Sequence, residues 1–166
     1  GKVALNGAGV NPSNSVAVGY AAGRYAEGNN NVALGQSALK GNNAGNFVGH
    51  SNIAIGYEAM DALEVGEEYN IAIGSGAIGA MQEGDGNGDV DHNIAIGLDA
   101  FKGGDLASND RQVQGNIAIG SYALDATGAN AQTGTVAIGH QALTALTSGA
   151  LNTALGYKAG GAIETG

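Results

Sequence analysis

The chain has 166 residues and a net charge of −9; Gly (31), Ala (30) and Asn (17) make up nearly half of it, beside one Pro, no Cys and no Trp. That length suits one domain, the scarcity of Pro and the lack of a three-residue Gly period exclude collagen, and recurrent Val, Ile and Leu argue against disorder. The acidic balance argues against a nucleic-acid partner, no apolar run is long enough to insert in a membrane, and the absence of Cys excludes disulfides and thiolate metal sites. No charged-then-apolar leader opens the chain, so a signal peptide is expected to be absent or already removed.

Along the chain one short segment recurs. A degenerate first copy is anchored at Asn6, and later copies at Gly19, Gly35, Gly56, Gly74, Gly97, Gly120, Gly139 and Gly156. Two positions before each anchor stands Ala, from Ala4 and Ala17 through Ala137 and Ala154. Three positions after the glycine anchors Ala returns, as Ala22, Ala38, Ala59, Ala77, Ala100, Ala123, Ala142 and Ala159. The residue before the anchor is always Leu, Val or Ile; three before it stands Val or Ile, except at Thr153. Asn31, Asn52, Asn70, Asn93, Asn116 and Asn152 stand four before it.

The large-small-large triplet has the period of a strand: Ile71 and Ile73 share one face and Ala72 takes the other. The anchor Gly then permits a turn that other residues resist. A second short apolar element, such as Ala123-Leu124 or Ala100-Phe101, is expected to form another strand. Helix is the rival, since Ala favours it, but Gly interrupts every apolar triplet and no 3.6-residue stripe persists.

Each copy is too small to bury anything alone, so a single all-β domain over 1–166 is expected, a parallel β-solenoid or β-roll of about nine stacked coils. The large face of each coil (Ile53 and Ile55, for example) is expected to fill its interior, leaving an Ala-lined face to meet copies of the chain in a homo-oligomer. The Asn column is expected to hydrogen-bond as a ladder between coils.

Successive anchors lie 13, 16, 21, 18, 23, 23, 19 and 17 residues apart, so connections of variable length must bulge outward. The longest are 79–92, 102–115 and 40–51, and variable loops on a rigid frame are where recognition usually sits.

Segments such as Asn93-Ile94-Ala95-Ile96-Gly97 and Ser15-Val16-Ala17-Val18-Gly19-Tyr20-Ala21-Ala22 resemble the head repeats of YadA-like trimeric autotransporter adhesins. The resemblance covers essentially the whole chain and rests on eight recurrences with both alanines in place. It implies a left-handed parallel β-roll that trimerises side by side. Spacings of up to 23 residues depart from the more regular, shorter adhesin repeat. Asn152-Thr153-Ala154-Leu155-Gly156-Tyr157-Lys158-Ala159 and Asn31-Val32-Ala33-Leu34-Gly35-Gln36-Ser37-Ala38-Leu39 are also similar to repeats in phage tail-fibre proteins.

Both resemblances imply a non-enzymatic, extracellular attachment segment, on a virion fibre or a bacterial cell surface. It would meet a glycan or protein receptor through Asn42, Asn43, Phe47, His50, Glu83, Asp105, Asn109 and Arg111 of the loops. A purely structural fibre spacer is the alternative. A polysaccharide-cleaving tailspike is a third reading, with acids drawn from Glu67, Glu68, Glu83, Asp105 and Asp110, although no Trp is present to stack on sugar.

Other chemistry is sparse. Gly74-Ser75-Gly76-Ala77-Ile78-Gly79 matches a dinucleotide fingerprint in form, but such a site needs a helix to open there, and this is one ordinary copy of a repeat whose neighbours lack the extra glycines. Asp85, Asn87, Asp89 and Asp91 place oxygen ligands on alternate residues, a pattern suited to calcium; Val90 and Ile96 stand where an EF-hand needs Gly and an acid. His50, His92 and His140 have no paired spacing for a transition metal, and no GxSxG elbow occurs. Seven Thr residues, mostly outside the repeat frame, do not form an ice-binding array. Tyr20, Tyr57 and Tyr157, each just after an anchor, are expected to cover a corner of the coil.

Overall fold

The computed structural model describes residues 13–41, 49–62, 66–81, 89–104, 112–127 and 131–166. The described chain is all-β and contains no helix. Its strands are β1 (Val16–Val18), β2 (Val32–Leu34), β3 (Ile53–Ile55), β4 (Ile71–Ile73), β5 (Asp89–Asp91), β6 (Ile94–Ile96), β7 (Gln112–Gln114), β8 (Ile117–Ile119), β9 (Gln132–Thr133), β10 (Val136–Ile138) and β11 (Thr153–Leu155). Eight of them form one parallel sheet in the order β1-β2-β3-β4-β6-β8-β10-β11, one strand from each glycine-anchored copy. The degenerate copy at Asn6 lies outside the described residues.

The register is without slip: Ala54 pairs with Ala72, Ala72 with Ala95, and Ala95 with Ala118. Like residues therefore stack on like, and the chain is a β-solenoid.

The second strand is not where the sequence pattern suggested. The Ala-Leu element after each anchor is a turn, and Leu39, Met60, Ile78, Phe101, Leu124 and Leu143 take left-handed φ values between +47° and +55°. Those conformations are strained for residues with a Cβ. What holds them is stacking: the Met60 N–H donates to the Ala77 carbonyl of the next coil, Phe101 to Ala123, and Leu124 to Ala142. The turn thus behaves as a rung without being a strand. A second parallel sheet, β5-β7-β9, instead forms just before the main strand in three coils. It takes up residues 89–91 and 112–114 of the two longest predicted loops.

The expected orientation of the strands is reversed. Ala33, Ala54, Ala72, Ala95, Ala118, Ala137 and Ala154 point into the coil and are buried, whereas the flanking Val, Ile and Leu point outward. The reason lies on the opposite wall, where the turn residues Leu39, Met60, Ile78, Phe101, Leu124 and Leu143 project inward and are fully enclosed. With that wall supplying the bulk, the strand wall has room only for Ala, because interiors pack to near-crystal density.

The Asn column also points inward, and it forms a ladder. Asn52, Asn70, Asn93 and Asn116 each donate their backbone N–H to the side-chain Oδ1 of the preceding Asn, at 2.8–3.0 Å. Each side-chain amide in turn donates to a carbonyl of the next coil, as Asn93 does to Val113 and Asn116 to Gln132. Every buried carboxamide from Asn31 to Asn116 is therefore satisfied along the stack.

Candidate functional site

A long surface feature of the described residues is made by the outward residues of the main sheet. One ridge runs Val16, Val32, Ile53, Ile71, Ile94, Ile117 and Val136 and ends at Thr153. The second runs Val18, Leu34, Ile55, Ile73, Ile96, Ile119, Ile138 and Leu155. Within the stack each side chain is partly shielded by those above and below; at the two ends exposure rises to 60% at Val18 and 75% at Leu155. Fifteen of the sixteen ridge positions are aliphatic and none is charged. A continuous apolar strip of this kind is a candidate interaction surface.

A second, interrupted set of ladder bonds, which sequence reading missed, links residues six before the anchors at three steps. The Ser13 N–H donates to Asn29 Oδ1 at 2.7 Å, the Asn29 N–H to His50 Nδ1 at 2.9 Å, and the Glu68 N–H to Asp91 Oδ1 at 2.7 Å. The clue was in the sequence: the same offset holds an acceptor side chain in coil after coil, though of changing residue type. His50, expected to meet a receptor, thus accepts a backbone bond within the fold. Burial is the main influence raising the Asp91 carboxyl above its usual range, and the Glu68 N–H opposes it.

Aromatic rings stack along two further lines. Tyr69 and His92, in neighbouring coils, lie 5.0 Å apart and nearly parallel. His140 stacks on Tyr157 at 5.6 Å, with Tyr122 edge-on to His140 at 6.1 Å and the Lys158 amine over the Tyr157 ring. Tyr20, Tyr57 and Tyr157 are exposed just after their anchors, as outward studs rather than covers for the coil. Hydrogen bonding to Glu58 raises the Tyr57 phenol above its ordinary value.

The predicted ligands of a cation divide. Asp85 and Asn87 lie outside the described residues, while Asp89 and Asp91 flank the inward Val90 on one outward edge of β5. Asp89 Oδ2 already accepts from the amides of Gln112 (3.0 Å) and Gln114 (3.3 Å). Among the described residues no three His, Asp or Glu side chains come together as a metal group. Gly74–Gly79 turns as its counterparts do and opens no helix.

Of the acids considered for hydrolysis, Glu67 is buried inside the coil at 1% exposure while its neighbour Glu68 faces outward, so this pair cannot flank one substrate. Glu83, Asp105 and Asp110 lie outside the described residues, as do the predicted receptor contacts Asn42, Asn43, Phe47, Asn109 and Arg111.

One charged cluster occupies the corner around Asp61. Burial, then the nearby Glu58, push its carboxyl up to about 6, against the opposing pull of Lys40 and Lys102. Lys102 is itself paired with Asp99 at 3.3 Å. No helix of the described residues is long and apolar enough to cross a membrane.

Comparison with family models, with curated proteins and with solved structures finds no match to the chain.

Proposed function

We propose that the chain is a non-enzymatic attachment segment of an extracellular fibre, on a phage tail or a bacterial surface, that works as a homotrimer. The observation that carries the reading is the pair of aliphatic ridges along the main sheet. A second copy is the natural occupant, because the ridges repeat at the strand spacing of roughly 4.8 Å and any parallel copy offers the same period. Neither ridge carries a charge that would impose another partner. Association across a cyclic axis would bury a strip the thin coil cannot cover itself. This moves the interface from the Ala face, which is interior, to the Ile and Val face. The trimeric state and a left-handed winding are supported by the resemblance to adhesin head repeats.

On this reading the connections expected at 40–51, 79–92 and 102–115 are the parts that meet a glycan or protein receptor. The test has two parts. Native mass measurement reads the oligomer, with a folded monomer at micromolar concentration overturning the trimer. Deletion of residues 82–88 followed by a cell-binding assay reads attachment, and unchanged binding by this variant overturns the receptor role of that loop.

A structural spacer is the second reading. It is favoured by His50 and Asp91, whose outward side chains serve the fold's own backbone rather than a partner.

A further inference from the structure

We propose that Gln132, Thr135 and Asn152 hold one internal water molecule, which stands in for the carboxamide that the inner ladder lacks at its sixth rung, counted from Asn31. Thr135 occupies the position that Asn fills in six other copies, as Asn31, Asn52, Asn70, Asn93, Asn116 and Asn152. Its backbone N–H continues the ladder by donating to Asn116 Oδ1 at 2.9 Å. Its side chain does not: Thr135 Oγ1 is buried and has no protein partner.

The consequences reach both neighbours. In the rungs of Asn70, Asn93 and Asn116 the side-chain amide donates to the Oδ1 of the Asn before it, as Asn116 does to Asn93 at 2.9 Å. Asn152 has only the short hydroxyl of Thr135 behind it, and its Nδ2 is buried without a partner. Three residues before Thr135 the side chain of Gln132 is fully enclosed, with both Oε1 and Nε2 unpaired. The three residues are gathered by the backbone. Asn116 holds Gln132 and Thr135 through opposite ends of one carboxamide, and the Val136 N–H donates to the Asn152 carbonyl at 2.7 Å.

Within two adjacent rungs the buried side chains of Thr135 and Gln132 and the buried Nδ2 of half-buried Asn152 offer acceptors (Thr135 Oγ1, Gln132 Oε1) and donors (Asn152 Nδ2, Gln132 Nε2) together. That mixture suits a water molecule, which both gives and takes hydrogen bonds and typically makes about three inside proteins. A cation would be repelled by the amide donors, and nothing in the cluster is charged. Elsewhere in the ladder the carboxamides satisfy one another and leave no such demand.

Two variants and one count test this. Thr135→Val keeps the shape and removes the hydroxyl; Thr135→Asn restores the missing amide. Water-oxygen magnetic relaxation dispersion counts long-lived internal waters in each. The expected result is one fewer long-lived water in both variants than in the parent, with Tm lowered by roughly 2–4 °C in Thr135→Val and raised in Thr135→Asn. Gln132→Met, which preserves length and removes two ligands, is expected to lose the same water. A dry site predicts otherwise: Thr135→Val would match or exceed the parent Tm, because deleting an unpaired buried hydroxyl relieves its desolvation. That outcome, or an unchanged water count in all three variants, overturns the proposal.

Discussion

Gly97 lies directly against Gly120 of the next coil: a Cβ on Gly97 would stand 2.6 Å from the Gly120 carbonyl carbon, and its φ is +140°. The same contact recurs between Gly56 and Gly74 and between Gly74 and Gly97, so the anchor column is a line of backbone on backbone. Gly97→Ala meets two obstacles, a φ that L residues resist and a carbonyl that cannot move without unstacking a rung. The expected loss is about 3–5 kcal/mol, from strain and overpacking combined. Gly115 is the control, since its φ of +66° is left-handed but open space surrounds it. Gly115→Asn is expected to change stability by less than about 1 kcal/mol, because Asn visits this region readily. Equal Tm losses in the two variants would refute the stacking argument.

The inner ladder makes a second prediction. Asn93 accepts the Asn116 N–H, donates to Asn70 and to the Val113 carbonyl, and is fully buried. Asn93→Ala leaves the Asn116 N–H, Asn116 Nδ2 and the Val113 carbonyl short of partners inside the coil. Each such group costs about 1–3 kcal/mol when unpaired, so the variant is expected to unfold well below the parent temperature. Gln112→Ala serves for comparison: its amide bonds to Asp89 on the exposed surface, and the change is expected to be nearly silent. Thermal melts followed by circular dichroism compare the two.

Much of this was legible from spacing alone. Anchors, strands and the Asn ladder follow from a pattern whose period the backbone enforces. The facing of the strands was not, and the reason is physical. Ile-Ala-Ile specifies which residues share a side, but which side is interior depends on what the opposite wall contributes. That wall is built by Met60, Ile78 and Phe101 in left-handed turns, conformations that residue type alone argues against. The corner ladder was hidden for a different reason, since Asn29, His50 and Asp91 do one job with three chemistries.

The reversed facing yields a discriminating pair of substitutions. Ile73 and Ile96 face outward and Ala72 faces in. The double change Ile73→Lys with Ile96→Lys is expected to leave the coil folded and dissociate the proposed trimer, since two charges would enter each copy of an apolar seam. Ala72→Leu is expected to do the opposite kind of damage: overpacking of an interior already filled by Met60 and Ile78 costs about 1–3 kcal/mol or more. Sedimentation separates these outcomes. If the lysine variant sediments as the parent does, the ridges are not the interface.

Asp61 gives the chain a pH dependence whose sign is fixed by its environment. Burial and Glu58 raise its carboxyl from the usual 3.8 to about 6 in the folded state. Between those values the folded chain holds a proton that the unfolded chain has released, so this group favours folding at low pH. That contribution is lost as pH rises through about 6. Asp61→Asn removes the titration, and at pH 7.5 it is expected to stabilise the protein by about 1 kcal/mol. That figure is far below the full linkage value, because the side chain is half exposed and solvent screens it. At pH 4 the two proteins are expected to melt alike, since both carry a neutral group there. The measurement is the difference in Tm between parent and variant at the two pH values, taken at one protein concentration. A difference that is the same at both would mean that Asn acts through shape rather than charge, and the burial of Asp61 would then have no bearing on the pH response.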